Sequence, residues 1–171
     1  MGKIMEAIKE SGKKNLFLTE ILAAAVLVLF IFLSVRNNVR DDVSLGEIKQ
    51  TLVSLSAHPE KMNEAGAMKL KALYGLSAND YRETALYIPE SNMDAQEMLL
   101  IRCENEEQTK EAEAAMRKRI ETLVGLFESY GVEQMGIINK AVVKVKGPYC
   151  LYVCDENSAK ILSAFEKAVS R

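Results

Sequence analysis

The sequence predicts an α+β chain, an N-terminal transmembrane helix followed by one domain in which helices pack a mainly antiparallel sheet of about four strands. Three observations carry this prediction. Residues 21–35, ILAAAVLVLFIFLSV, hold no charge, proline or glycine. Two pairs of strand-like runs, each pair joined by turn residues, read as hairpins. Around them lie segments whose apolar residues recur at helical spacing. The predicted order after the anchor is α-α-ββ-α-ββ-α.

The apolar stretch comes first because it decides where the rest of the chain sits. At 1.5 Å per residue it reaches about 22 Å, so residues 16–20 must join it to cover a hydrocarbon core of about 30 Å. A soluble helix keeps a polar stripe, and none exists between Ile21 and Leu33. The small residues Ala23, Ala24 and Ala25 stand at the start of the run, where no signal-peptide cleavage site is expected. The first cysteine is Cys103, far from any lipid-attachment position. An uncleaved anchor from Leu16 to Val35, in contact with the lipid bilayer, is the expectation. Lys3, Lys9, Lys13 and Lys14 precede it, whereas Arg36 and Arg40 follow it beside Asp41 and Asp42. That bias predicts a cytoplasmic N-terminus and an extracytoplasmic C-terminal domain in a single-pass cell-membrane protein. Residues 1–15 then form the tail, 16–35 the anchor, 36–44 a stalk and 45–171 the domain. Glu20 is expected at the inner headgroup level.

Within the domain, a helix is predicted from Leu45, with Ile48, Leu52 and Leu55 inward, ending before Pro59. Lys61 to Tyr74 reads as a second helix with Met62, Ala65, Met68 or Lys69, and Leu73 on one side, capped by Gly75. Ser77 to Asp80 has capping-box spacing and predicts one helical turn. Glu83–Pro89 and Met98–Cys103 form the first predicted hairpin, the second strand apolar on both faces. Glu106 to Tyr130 is the main helix, its stripe Ala112, Met116, Ile120, Leu123, Phe127 and Tyr130, with Gly131 as its cap. Val132 to Asn139 adds a short helix or turn. Ala141 to Asp155 alternates around Gly147-Pro148 as the second hairpin, and a last helix from Ser158 buries Ile161, Leu162, Phe165 and Val169.

Charge and composition exclude several functions. The net charge is −2, with 22 basic and 24 acidic residues, so no basic surface points to nucleic acid. There is no tryptophan for a stacking platform. His58 is the only histidine and reads as a loop residue beside a proline, not a metal ligand. No nucleophile elbow, phosphate loop, zinc-protease helix or dinucleotide fingerprint occurs, and no carboxylate pair stands out. The reading is therefore no enzyme, with no catalytic residue, cofactor or metal.

Three cysteines, Cys103, Cys150 and Cys154, leave three readings open. Cys150 and Cys154 fall on one face of one strand about 13 Å apart, beyond the 7 Å or so within which two Cα atoms bridge. Cys103 pairs with either if their strands are neighbours. Otherwise the three are small buried hydrophobes, or a redox site.

Several segments in order carry a resemblance. They are Leu73-Tyr74-Gly75-Leu76, Leu86-Tyr87-Ile88-Pro89, Met93 to Met98, Arg119 ahead of Phe127-Glu128-Ser129-Tyr130, and Val143 to Tyr149. From about Met62 onward the chain resembles the bacterial envelope-protein family named domain of unknown function DUF4358, in a membrane-anchored rather than lipoprotein form. The resemblance implies tethering outside a Gram-positive membrane and brings no activity with it. It draws attention to Arg119, with Tyr130 and Tyr149 as companion binding candidates at the ends of two segments. Arg119 either lies along the apolar stripe and pairs with a carboxylate, or forms an anion site. The function expected is a protein- or cell-wall-interaction module, marked by an apolar patch on the sheet's open face or near a hairpin tip. The alternative is a small-molecule or peptide sensor, marked by a concave polar pocket with Arg119 nearby.

Overall fold

The run Met98 to Ile101 has no polar side, and each of its side chains is at most 1% exposed. A strand of this kind needs a cover on both faces, and the fold is built to supply it. The computed structural model describes residues 20–31, 39–129 and 131–170. The chain divides into two compact units, Met1–Val39 and Arg40–Arg171.

In the first unit, residues 20–31 are helical (α1) and every one of them is exposed. Among the described residues no helix is long and apolar enough to cross a membrane. The remainder of the predicted 16–35 span lies outside the described residues.

The second unit contains helices α2 (Leu45–Ser54), α3 (Ala67–Tyr74), α4 (Glu106–Phe127), α5 (Val132–Ile138) and α6 (Ser158–Ala168). Its strands are β1 (Asn63–Ala65), β2 (Glu83–Ile88), β3 (Glu97–Arg102), β4 (Val142–Lys146) and β5 (Tyr149–Cys154). They form one five-stranded sheet in the order β1-β2-β3-β5-β4, antiparallel throughout. The register pairs Leu86 with Leu99, Leu100 with Leu151, and Ile101 with Cys150.

Strand alternation sends one set of residues to each face. Leu86, Leu99, Ile101, Cys150, Tyr152 and Cys154 join a core with Leu70 and Tyr74 of α3 and Ala112, Met116, Leu123 and Phe127 of α4. The opposite set, including Met98, Leu100, Leu151 and Val153, is equally buried, and α2 and α6 supply Leu45, Ile48, Leu52, Ile161 and Phe165. The sheet is thus the middle layer of three and has no open apolar face, contrary to one expectation above.

Most predicted elements form where their periodicity puts them. Asn105 caps α4 by accepting the Gln108 N–H at 2.9 Å, with Glu106 and Glu107 in the favourable first turn. Gly75 ends α3 at φ +75°, the left-handed conformation that a side chain resists. Gly147, at φ +56°, takes the first position of a two-residue hairpin turn. Proline follows it, which excludes the type I′ turn and leaves the II′ geometry.

Three expectations are corrected. The sheet has five strands, not about four, because Asn63–Ala65 pairs with β2 instead of opening the second helix. The pairing supplies partners for an otherwise bare strand edge, and Glu64 is held there by Lys49 at 2.6 Å and by the Tyr87 hydroxyl at 3.2 Å. Helix α3 consequently starts at Ala67 and buries Leu70 and Tyr74, while Met68 faces solvent. Second, the main helix ends at Phe127, and Gly131 caps no left-handed turn. A Cβ there would lie 2.8 Å from the Phe127 ring, so close approach is what requires glycine. Third, Ser77 makes no side-chain cap, although the predicted turn forms at Ala78–Asp80.

Two glycines give opposite stability tests. Nothing lies within 4 Å of a Cβ added to Gly125 in α4 or to Gly75. Gly125→Ala therefore raises the unfolding free energy by about 0.5–1 kcal/mol through a less flexible unfolded chain. Gly75→Ala lowers it by about 1 kcal/mol, because alanine is forced into the left-handed region. Urea midpoints of the full chain should move in opposite directions; a shared direction would refute the backbone explanation.

Candidate functional site

The polar residues that begin and end β3 organise the chemistry of the domain. Glu97 is 3% exposed and points into the α3–α4 layer. Arg119 on α4 donates from Nε and Nη2 to Glu97 Oε2 at 3.1 and 2.8 Å, and the Tyr74 hydroxyl donates to Oε1 at 2.5 Å. Burial and the Glu97 charge push the Tyr74 phenol well above its usual range. Burial alone would lower the Arg119 guanidinium, but the Glu97 bonds outweigh it and raise it. The anion that Arg119 holds is the chain's own carboxylate.

At the other end of β3, Arg102 donates from Nη1 to Glu83 at 2.8 Å and from Nη2 to the Asp41 carbonyl, and lies 5.9 Å over the Tyr149 ring. Glu83 also accepts from Ser44 Oγ and the Leu45 N–H, both at 2.8 Å, and so fixes the start of α2. Burial pushes the Glu83 carboxyl up, yet these three donors together hold it below the usual range. Tyr149 is fully buried and donates to the Val43 carbonyl at 2.8 Å. Arg119 and Tyr149 therefore sit on opposite faces of the sheet, and Tyr130 lies outside the described residues.

The concave surface is elsewhere. A cleft of about 540 Å³ opens between the segment after α2 (Ala57, His58, Lys61), the β2–β3 connection (Asp94, Gln96), α5, and Glu156. Under it lies a buried polar cluster on Asp155, which is 1% exposed. Asp155 accepts from Ser56 Oγ at 2.6 Å, Gln96 Nε2 at 2.6 Å, the Ala57 N–H at 3.1 Å and the Asn157 N–H at 2.7 Å. Four donors satisfy a carboxylate that would otherwise be costly to bury. They also bring the end of α2, the start of β3 and the turn before α6 to one point. Gln134 on α5 closes the arrangement by accepting the Ala95 N–H at 2.7 Å.

The rim mixes signs: Lys61 and Lys140 face Asp94, Glu133 and Glu156. A second depression of about 370 Å³, more apolar than the first, adjoins it, lined by Met93, Phe127, Gly131, Val132, Glu133 and Gln134. The two depressions share Glu133 and Gln134. Met93 is 57% and Val132 87% exposed. Among the described residues no group of three or more histidine, cysteine or acidic side chains is placed to hold a metal.

Neither Asp155 nor Gln96 stands out in the sequence. The one legible hint is their location, at strand ends where a buried polar residue needs a partner from another element.

The fold is thus a three-layer α+β domain with a central antiparallel sheet and a cleft at the β2–β3 turn. The model of the family described as Domain of unknown function (DUF4358) matches residues 56–155, and the chain belongs to that family. The matched segment carries all five strands and α3 to α5, and it begins and ends on the hydrogen-bonded pair Ser56 and Asp155. No curated protein and no solved structure matches the chain.

Two measurements test these networks. Arg119→Met leaves Glu97 charged and buried, and should cost about 3–5 kcal/mol in urea unfolding. Adding Glu97→Gln should recover much of that loss, since the amide keeps an acceptor for Tyr74 without a charge; simply additive losses would contradict the pairing. The second measurement concerns acid. The folded pKa of Glu83 is depressed, so its stabilisation is complete above the unfolded carboxylate range and fades as pH falls through the folded value. Melting temperature should drop below about pH 4, and Glu83→Gln should flatten that drop.

Proposed function

We propose that this protein is a single-pass membrane protein whose C-terminal domain is an extracytoplasmic interaction module, docking an extended segment of a partner protein in the cleft between the β2–β3 turn and α5. The observation that carries this reading is the continuity of a polar cleft with an apolar step across Glu133 and Gln134. A peptide offers backbone donors and acceptors, charges of both signs and apolar side chains. The rim and the Met93–Val132 step supply matching chemistry.

The anchor part rests on sequence: the apolar stretch 16–35, with lysines before it and few basic residues after. The exposure of the large apolar residues from Ile21 to Ile31 supports it. Such a surface is stable in lipid and poorly stable in water.

A second reading, a sensor for a small charged molecule, is favoured by the size of the polar half, within the usual range for ligand pockets. In neither reading does Arg119 meet the ligand, because Glu97 occupies it.

Site-specific photo-cross-linking in native membranes separates these readings. A benzophenone side chain at Val132, in the apolar step, should give discrete adducts of protein size. The same group at Met68, 88% exposed on α3, should give none. Matching adducts from both positions, or none from Val132, would sink the docking reading. Absence of adducts together with saturable binding of a small charged compound by the purified domain would favour the sensor.

A further inference from the structure

Two cysteine sulfurs lie together in the α4-facing core. Cys103 Sγ is 4.0 Å from Cys150 Sγ, and both side chains are free and buried. The sheet register explains the meeting. Ile101 stands opposite Cys150, and the Cys103 N–H donates to the Pro148 carbonyl at 2.8 Å, extending the ladder one step past β3. Cys103 therefore shares the face of Ile101 and is diagonal to Cys150, and the two sulfurs turn toward each other across that diagonal. Cys154 is excluded: it stands opposite Glu97, at the far end of β3. Cys103 also lies one residue past the end of β3, where the chain leaves the ladder for the Asn105 cap.

We propose that Cys103 and Cys150 form a reversible dithiol–disulfide site that fastens the start of α4 to β5. The co-reactant is a disulfide oxidant. Cys103 thiolate attacks one oxidant sulfur, forming a mixed disulfide and releasing the other oxidant sulfur as a thiolate. That thiolate takes the Cys150 proton. Cys150 sulfur then attacks Cys103 sulfur, closing the bridge and releasing the second oxidant thiolate, which takes up the proton that Cys103 gave to solvent. Two protein thiols are oxidised and one oxidant disulfide is reduced to two thiols.

The order of attack follows from the environment of the pair. The hydrogen bond shared with Cys150 outweighs burial and holds the Cys103 thiol below its usual range. The same bond, with burial, pushes Cys150 up. Cys103 is also the one at the strand end, next to the exposed Glu104. Cys154 is pushed by burial up to about 12 and stays a thiol. The bridge closes a loop containing α4, α5 and β4, and Cys150 Sγ already touches the Thr109 carbonyl of α4 at 3.8 Å. The site is independent of whether the cleft binds a partner.

The test is incubation of the full chain in oxidised glutathione, followed by denaturation, alkylation and peptide mass spectrometry. Alkylatable thiols should fall from three to one, the survivor being Cys154, and dithiothreitol should restore all three. The oxidised chain should melt about 10 °C higher, as expected for closing a loop of this length. Cys150→Ser should halt at one glutathione on Cys103, and Cys103→Ser should leave Cys150 unmodified. Three alkylated thiols after oxidation, a bridge to Cys154, or a disulfide between chains would each overturn the proposal.

Discussion

A strand that is apolar on both sides has to be covered twice, and that requirement shapes the whole domain. Met98 to Ile101 draws α3 and α4 onto one face of the sheet and α2 and α6 onto the other. Once both faces are dry, the charged and amide groups at the ends of the strand are stable only when residues from other elements are brought to them. Glu97 takes Arg119 and Tyr74, Arg102 takes Glu83, and Gln96 takes Ser56 and Asp155. These contacts specify how the layers register, which apolar packing alone leaves loose.

The cleft follows from the same matching. Asp155 gathers donors from three separate elements, and the carboxamide of Gln134 holds α5 against the β2–β3 connection. The ground beneath the cleft is thus a buried hydrogen-bonded cluster, while its rim carries side chains of both charges. Membership of the DUF4358 family over residues 56–155 places the sheet and all of the cleft lining but Glu156 inside the family's shared segment, with α2 and α6 flanking it.

Much of the secondary structure was legible in local patterns. Glycine at the end of α3, the acidic first turn of α4, and the Gly-Pro turn between β4 and β5 are each set by a few neighbouring residues. What escaped was decided at a distance. Asn63 to Ala65 has no strand signal and is extended because the edge of β2 offers it hydrogen bonds. Gly131 looked like a helix cap and is required instead by the ring of Phe127. Arg119 stood open between a carboxylate partner and an anion site until the fold brought Glu97 to it, 22 positions away in the chain.

The sequence by itself determined the alternation of the strands, the amphipathic faces of α4 and α6, and family membership, because these depend on periodicity and short-range order. The apolar character of residues 21–35 is likewise a property of composition alone. Only the tertiary structure decided which buried charges pair, that both faces of the sheet are covered, and that Cys103 meets Cys150 and not Cys154. These are relations between residues far apart in the chain, fixed by strand register and layer packing. No local pattern encodes a register, because shifting a strand by two residues preserves its alternation while changing every partner across it.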